Sequence, residues 1–185
     1  MPRQHVAVYA GSFDPITLGH LDVLRRARRL FDGIILGIGH NPEKEALFSF
    51  EERQEMASAL VSEMLAADPD SAPVSVEVYT GLTVDFAKSK DASAILRGIR
   101  NITDLAAETQ LAITNRQVVD IETVFIVTGE AYAFTSSSLI RQIAAMGGSL
   151  NRLDTIVPRM VINRLEKLRA DPHRPLGRLA RTDLD

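Results

Sequence analysis

The chain has 185 residues, of which 45% are hydrophobic and 24% charged, and this favours one globular domain with a sizeable core. A net charge of −3 argues against nucleic-acid and membrane partners, because no global basic field would attract them. The absence of cysteine excludes disulfides, thiolate metal sites and a cysteine nucleophile. Without a signal-peptide pattern or an apolar run of ~20 residues, we expect a cytoplasmic protein.

The first regular element is an apolar, β-prone run at residues 6–9, which stops at a loop that begins with Gly11. After this loop, Gly19 and His20 open an amphipathic helix with apolar residues at helical spacing as far as Phe31. The first N–H groups of a helix are unpaired and carry a partial positive charge, which suits them to phosphate. His20 is therefore the first candidate for a functional side chain.

The rest of the chain alternates between strand-like and helix-like segments, which predicts a parallel sheet with right-handed crossovers. Ser49 and Glu52 have capping-box spacing and begin a helix that runs to about Ala66. Further strands are predicted at residues 34–39, 74–79, 94–96 and 122–127, the period-two pattern of 74–79 indicating a strand near the sheet edge. Further helices are predicted at residues 83–90, 104–118, 136–146 and 158–169.

This pattern predicts an α/β fold, a Rossmann-like doubly wound parallel sheet of five strands with helices on both faces. We expect one domain over residues 1–169. Residues 170–185 contain two prolines and a glycine and are predicted to be a flexible C-terminal extension.

Polar side chains follow several of the predicted strands. In open parallel sheets, ligands bind beyond the carboxyl ends of the strands, where the strand order reverses. This rule brings together the loops at Ser12 and Lys44, the strand end at Arg97 and Arg100, and the serines at 136–138. Cations and hydroxyls are the donors that phosphate requires, and arginine offers a planar fork. The sequence therefore predicts a site for two phosphorylated ligands.

The stretch Thr17-Leu18-Gly19-His20 resembles the His/Thr-x-Gly-His signature of the nucleotidyltransferase superfamily. Together with the preceding residues 11–15, it is similar to phosphopantetheine adenylyltransferases in particular. Further stretches match that family in order: Lys44, residues 81–87, the Arg-Gly-x-Arg motif at 97–100 with Glu108 and Asn115, and residues 132–138. The resemblance runs from about residue 6 to residue 169.

The resemblance implies reversible transfer of an adenylyl group from ATP to 4′-phosphopantetheine, which gives dephospho-coenzyme A and pyrophosphate in coenzyme A biosynthesis. The nucleophile is the phosphate of the substrate, so the reaction needs no general base and no covalent enzyme intermediate. The family also implies magnesium bound through the ATP phosphates, with no metal-ligating residue of the protein. It implies a homohexamer, and neither a nucleic acid nor a membrane as partner.

The resemblance assigns roles to particular residues. The catalytic residues are His20, Lys44 and Arg97. Those that bind phosphopantetheine are Ser12, Lys44, Thr83, Arg97 and Asn115. Those that bind ATP are Ser12, Phe13, His20, Gly98, Ile99, Arg100, Glu108, Tyr132, Ala133, Phe134, Thr135, Ser136, Ser137 and Ser138. Thr83 stands where relatives often have a larger apolar residue.

Other interpretations stay open from the sequence. A sibling adenylyl- or cytidylyltransferase would act on nicotinamide mononucleotide or a phospho-alcohol, but such relatives usually have histidine at the position of Thr17 and lack the 81–87 segment. A non-catalytic regulator would bind nucleotide without chemistry, and the retention of His20, Lys44 and Arg97 argues against it. A nucleic-acid-binding module is disfavoured by the acidic net charge and by the lack of interleaved aromatic residues.

Overall fold

The computed structural model describes residues 4–40, 46–171, 173, 174 and 176. The predicted site residue Lys44 lies outside these described residues. The strands are β1 Val6–Gly11, β2 Gly33–Ile38, β3 Val74–Val78, β4 Ala94–Ile99 and β5 Glu122–Val127. They form one sheet in the order β3-β2-β1-β4-β5, and each neighbouring pair is parallel. The predicted five-stranded parallel sheet is confirmed, with β3 at an edge.

The described part of the chain contains six α-helices: α1 Leu18–Ala27, α2 Phe50–Ala67, α3 Thr83–Ser89, α4 Ile102–Val119, α5 Ser137–Ala145 and α6 Arg159–Ala170. The predicted capping box at the start of α2 is present, with Ser49 and Glu52 each bonded to the other's backbone N–H. Short 3-10 turns at Glu130–Tyr132 and Leu150–Leu153 were not predicted. No helix among the described residues is long and apolar enough to cross a membrane.

Strand β4 is longer than the sequence indicated. Its predicted end was Leu96, because a charged residue and a glycine interrupt the apolar run there. In the structure, Arg97 continues to pair with Phe125 of β5, and Ile99 pairs with Val127. Arg97 therefore projects from regular strand and not from a loop, which gives its side chain a rigid base.

Alternate side chains of β1 pack on opposite faces of the sheet. Ala7 and Tyr9 belong to the larger core, which α1, α2, α5 and α6 cover. Val8 and Ala10 belong to a smaller core under α3 and the end of α4. All four side chains are 3% exposed or less. Helices therefore cover both faces, as expected for a parallel sheet, and the predicted doubly wound fold is confirmed.

The strand order fixes where a ligand can enter. The chain moves from β1 out to β2 and β3, and then returns to the other side of β1 with β4 and β5. The order therefore reverses between β1 and β4, and a crevice opens beyond their carboxyl ends. Ser12 directly follows β1, and Arg97 lies near the end of β4, so both predicted site residues border this crevice.

The start of the C-terminal extension contacts the domain. A guanidinium nitrogen of Arg174 donates to a carboxylate oxygen of Glu52 at 2.6 Å and to the carbonyl of Leu47 at 3.4 Å. Leu176 is 2% exposed and packs in the larger core. These contacts attach the residues after α6 to the first turn of α2, and the flexibility of the extension as a whole stays a prediction.

Arg28, at the end of α1, binds the connection between α2 and β3. Its side chain is fully buried. Its guanidinium donates to the carbonyls of Ala72 at 2.7 Å, Asp68 at 2.6 Å and Ser71 at 3.1 Å. One side chain thus satisfies three half-buried backbone acceptors.

Arg28→Met is expected to lower the free energy of unfolding by about 2–4 kcal/mol, because a buried carbonyl without a donor costs about 1–3 kcal/mol and water compensates part of that at these three half-buried carbonyls. Urea denaturation followed by circular dichroism measures the change. The neighbouring Arg29 is exposed, and Arg29→Met is expected to change stability by less than about 0.5 kcal/mol. Equal losses in the two variants would contradict this role of Arg28.

Candidate active site

A cavity of about 300 Å³ opens at the carboxyl edge of the sheet, beside the ends of β1 and β4. It gathers residues that are distant in sequence. Twelve predicted site residues line it: Ser12, Phe13, His20, Arg97, Gly98, Arg100, Glu108, Tyr132, Thr135, Ser136, Ser137 and Ser138. The structure therefore brings most of the predicted site together in one place.

Five predicted residues within the described chain do not line this cavity: Ile99, Ala133, Phe134, Thr83 and Asn115. Phe134 is 92% exposed, whereas Ile99 and Asn115 are buried. The hydroxyl of Thr83 lies 2.7 Å from that of Tyr79. Any ligand contact of these five residues would need a ligand that extends beyond the cavity.

His20 is held by a capping box at the start of α1. The Thr17 hydroxyl accepts from the His20 backbone N–H at 3.3 Å, and His20 Nδ1 accepts from the Thr17 backbone N–H at 3.0 Å. Glu or Gln usually fills the position that His20 takes here. Because a backbone N–H only donates, Nδ1 must be unprotonated, and the neutral ring carries its proton on Nε2. The Nε2–H group is the ring donor left for a ligand.

Aromatic packing fixes the orientation of the imidazole. The Phe13 ring meets the His20 ring edge-on, with 5.1 Å between centroids, and meets Tyr9 at 5.3 Å. Phe13 has a φ of 45°, which is unusual for a residue other than glycine. Its ring lies against Gly11, where a Cβ would approach within 3.1 Å. Gly11 thus leaves space for the ring that supports His20.

The cavity keeps His20 neutral. Burial lowers the pKa of His20 to about 4, and the positive charges of Arg100 and Arg97 act in the same direction. The ordinary value is about 6.5, so the unliganded protein holds an uncharged imidazole at pH 7. His20 therefore offers a preoriented hydrogen-bond donor and no net charge.

Arg97 reaches from β4 across the crevice and pairs with α4. Its Nε and Nη2 donate to the two carboxylate oxygens of Glu108 at 2.7 and 2.5 Å, and its Nη1 donates to the carbonyl of Ala10. Burial acts to lower the pKa of Arg97, but the hydrogen bonds and charge of Glu108 outweigh it, and the pKa is raised. Three of the five guanidinium N–H groups donate in these bonds, and the other two are available to a ligand.

Arg100 repeats this arrangement one step further along the chain. Its Nε and Nη2 donate to Asp104 at 2.7 and 2.9 Å, and its Nη1 donates to the carbonyl of Thr135 at 2.8 Å. Asp104 and Glu108 are one turn apart on α4, so one helix face orients both arginines of the cavity. The Arg100 side chain also ties α4 to the residue that precedes the serine triplet.

Two helix N-termini face the cavity, those of α1 and α5. The Ser136 side chain caps α5 by accepting from the Leu139 N–H at 3.0 Å. The Ser137 hydroxyl donates to the carbonyl of Pro15 at 2.8 Å, which joins α5 to the loop after β1. The partial positive charge at two helix starts favours a polyanion between them.

Sequence reasoning missed two buried charges behind the cavity. Both carboxylate oxygens of Asp14 accept backbone N–H groups, from Leu47 at 2.8 Å and Phe48 at 2.9 Å. Arg141 on α5 also donates to this carboxylate, at 3.2 Å. Asp14 thereby fixes the loop after β1 against the connection after β2. No local pattern indicates these contacts, since the partners are more than 30 residues away.

Arg53 is the second of these charges, and it is 3% exposed. It donates to the carbonyls of Ser12 at 2.8 Å and Gly39 at 3.2 Å, and lies over the Phe50 ring at 4.4 Å. Because Ser12 follows β1 and Gly39 follows β2, Arg53 sets the spacing of the two strand ends. A buried arginine in an otherwise apolar stripe of α2 is the signal that could have revealed it.

Four cavity residues were not singled out by the sequence: Tyr9, Ala10, Asp104 and Thr128. Burial raises the pKa of Tyr9, so its phenol stays protonated. Asp104 could have been recognised, because it stands four residues after Arg100, the spacing of a helical ion pair. Within residues 4–40 and 46–171, no cluster of three or more acidic or histidine side chains could hold a metal ion.

Comparison with known proteins assigns this chain to a family. Residues 8–143 match the cytidylyltransferase-like family model. The phosphopantetheine adenylyltransferase of Rhodopirellula baltica is 44% identical over 90% of each chain. That of Desulfatibacillum aliphaticivorans is 43% identical over 91% of each. The chain belongs to the phosphopantetheine adenylyltransferase family.

Solved structures of other adenylyltransferases share the fold of this phosphopantetheine adenylyltransferase family member. Plasmodium falciparum nicotinic acid mononucleotide adenylyltransferase, complexed with NaAD, superposes with a TM-score of 0.66 at 16% identity over 90% of this chain and 97% of its own. A bifunctional NMN adenylyltransferase/ADP ribose pyrophosphatase of Francisella tularensis also gives 0.66, at 17% identity over 98% of this chain and 54% of its own. These likenesses confirm the Rossmann-like fold.

Proposed function

We propose that this chain transfers an adenylyl group from ATP to 4′-phosphopantetheine, which releases pyrophosphate and gives dephospho-coenzyme A for coenzyme A biosynthesis. Membership of the phosphopantetheine adenylyltransferases supports the reaction. The structural observation that carries the proposal is one cavity in which His20, two arginine forks and two helix N-termini face one another. This is a set of donors for several phosphates, and the proposed reaction requires no nucleophile of the protein.

The acceptor phosphate is the nucleophile. Its second pKa is about 6, so it is largely dianionic at neutral pH. One of its oxygens forms a bond to the α-phosphorus of ATP, the bond from that phosphorus to the bridging oxygen breaks, and pyrophosphate leaves with the electron pair. No proton has to move, so the protein accelerates the step by positioning and by stabilising charge.

The acceptor side of the cavity would include Ser12 and Arg97. The resemblance also assigns Lys44 to the acceptor, but Lys44 lies outside the described residues. Arg97 is fixed by Glu108 and Ala10, and its two remaining N–H groups would bind the attacking phosphate. Ser12, held through its carbonyl by Arg53, would orient that phosphate with its hydroxyl. The roles of Thr83 and Asn115 toward the pantetheine arm would require the ligand to reach past the cavity.

The ATP side consists of α1, α5 and the loop between β5 and α5. The Nε2–H of His20 would donate to an oxygen of the α-phosphate, where negative charge grows in the transition state. Arg100 and the serines at the start of α5 would hold the β- and γ-phosphates, and Tyr132 would lie beside the nucleoside. A magnesium ion bound through phosphate oxygens would neutralise part of the triphosphate charge, as is usual for this ion.

The decisive experiment measures pyrophosphate release from ATP and magnesium with 4′-phosphopantetheine and nicotinamide mononucleotide offered separately. Release with phosphopantetheine alone is the expected result. Release with the mononucleotide alone would keep the roles of the ATP side and overturn those of the acceptor side. Saturable ATP binding without pyrophosphate release in the presence of either acceptor would support a non-catalytic regulator.

Helix α4 supports the proposal of a homohexamer. Its inward face meets the two arginines, whereas Ile102 is 85% exposed and Val118 is 63% exposed. Leu105, Leu111 and Ile113 are each exposed by 42% or more. These exposed apolar side chains are distributed around α4 and are not confined to one face, and an exposed apolar surface of this kind is typical of a subunit contact. Sedimentation at several concentrations tests the assembly, and a monomer at every concentration would contradict it. The cytoplasmic location also stays a prediction.

A further inference from the structure

The loop between β5 and α5 is attached to α1 by one carboxylate. Asp22 lies two residues after His20, and its Oδ2 accepts the backbone N–H of Gly129 at 3.0 Å. Gly129 begins the 3-10 turn Glu130–Tyr132, and Tyr132 lines the cavity. The helix that presents His20 therefore also holds the first residue of the turn beside the proposed nucleoside.

Two neighbouring contacts strengthen this attachment. Arg26, one turn further along α1, donates to the carbonyl of Val127 at the end of β5 and lies 3.7 Å from Asp22. At Gly19, an added Cβ would approach the Cβ of Tyr132 within 3.2 Å. Helix α1 thus contacts the loop at two places: Asp22 binds its start at Gly129, and Gly19 packs against Tyr132 in its middle.

The far end of the same loop is held from the other side of the cavity. Arg100 donates to the carbonyl of Thr135, the residue before the α5 cap. With the Thr135 end bound to Arg100, Asp22 is the side chain that fixes the Gly129 end. Asp22 does not itself line the cavity, so its charge does not face a ligand there directly.

We infer that Asp22 is a positioning residue for ATP, a role that rests on the proposed function. Its carboxylate holds the Gly129 N–H, and thereby sets the 3-10 turn against α1 before nucleotide binds. Without it, ATP binding must order this turn, and the cost falls on ATP affinity. Ser12 and Arg97, the described residues of the proposed acceptor side, take part in none of these contacts.

The test is steady-state pyrophosphate release with full-length Asp22→Ala and Asp22→Asn. We expect Asp22→Ala to raise the KM for ATP by about 5- to 10-fold, the scale of one hydrogen bond, with the KM for phosphopantetheine within about twofold of wild type. Asp22→Asn keeps an acceptor oxygen at the same place and is expected to restore most of the ATP affinity.

Asp32→Ala is the matched control. Asp32 also accepts a backbone N–H, from His5 at 2.7 Å. This hydrogen bond lies at the amino edge of the sheet, because His5 precedes β1 and Asp32 precedes β2. Asp32→Ala is expected to leave both KM values within about twofold, whatever its effect on the melting temperature. Unchanged KM for ATP in Asp22→Ala, or no recovery in Asp22→Asn, would overturn the inference. Wild-type protein without pyrophosphate release would instead contradict the proposed function.

Discussion

His20→Ala is expected to lower kcat by about 10²–10³-fold, the scale for the loss of one preorganised donor to a transition-state oxyanion. The capping box fixes Nδ1 as an acceptor, so the ring stays in the tautomer that carries its proton on Nε2. Alanine removes this donor and leaves the arginine forks in place. Initial rates of pyrophosphate release at saturating ATP and phosphopantetheine measure the change.

His5→Ala is the control for this prediction. His5 precedes β1, at the opposite edge of the sheet, and is exposed. Its replacement should leave kcat within about twofold of wild type. A His20→Ala enzyme with a raised KM for ATP and an unchanged kcat would show that the imidazole binds the ground state and transition state equally well.

The pH dependence gives a second readout of the same role. Because the folded protein lowers the pKa of His20 to about 4, the ring is neutral well above that value and protonates only as the pH falls toward it. The acceptor phosphate loses its second proton near pH 6. An acid limb of the rate near pH 6 should therefore belong to the substrate and persist in His20→Ala. Its disappearance in that variant would assign it to His20.

The fold and part of the cavity lining followed from local patterns, whereas the family resemblance supplied other lining residues, such as Phe13, Glu108 and Tyr132. Alternating strand and helix segments predicted the parallel sheet, and the rule for parallel sheets placed His20, Arg97 and the serine triplet at one edge. The capping box at Ser49 and the helix predicted from residue 136 located two helix starts to within a residue. These features depend on residues close together in sequence, which a single chain displays directly.

The electrostatics of the site could not be predicted in the same way. Which carboxylate pairs with Arg97 depends on how α4 lies across β4, and the sequence separation of 11 between Arg97 and Glu108 does not fix that geometry. Arg53 and Asp14 act through contacts to backbone groups in other loops, so no spacing rule reveals them. Even the capping role of His20 was hidden, because histidine replaces the glutamate that the rule expects.

Arg97→Ala is expected to raise the KM for phosphopantetheine by about 10- to 100-fold, since hydrogen bonds to charged groups are worth about 1.5–3 kcal/mol. The KM for ATP should change much less. Arg100→Ala is the matched comparison, because Arg100 has the same fork geometry on the ATP side, and there the larger change should fall on ATP. Steady-state kinetics with each substrate varied separately distinguish the two.

Part of the loss in Arg97→Ala should come from the partner that is left behind. Without the guanidinium, Glu108 keeps a negative charge at the cavity wall, and an incoming phosphate dianion is repelled by it. Arg97→Ala combined with Glu108→Gln should therefore recover some affinity for phosphopantetheine, so that the two substitutions are not additive. Additive losses would mean that Glu108 contacts a substrate in its own right, and an unchanged KM in Arg97→Ala would remove Arg97 from the acceptor site.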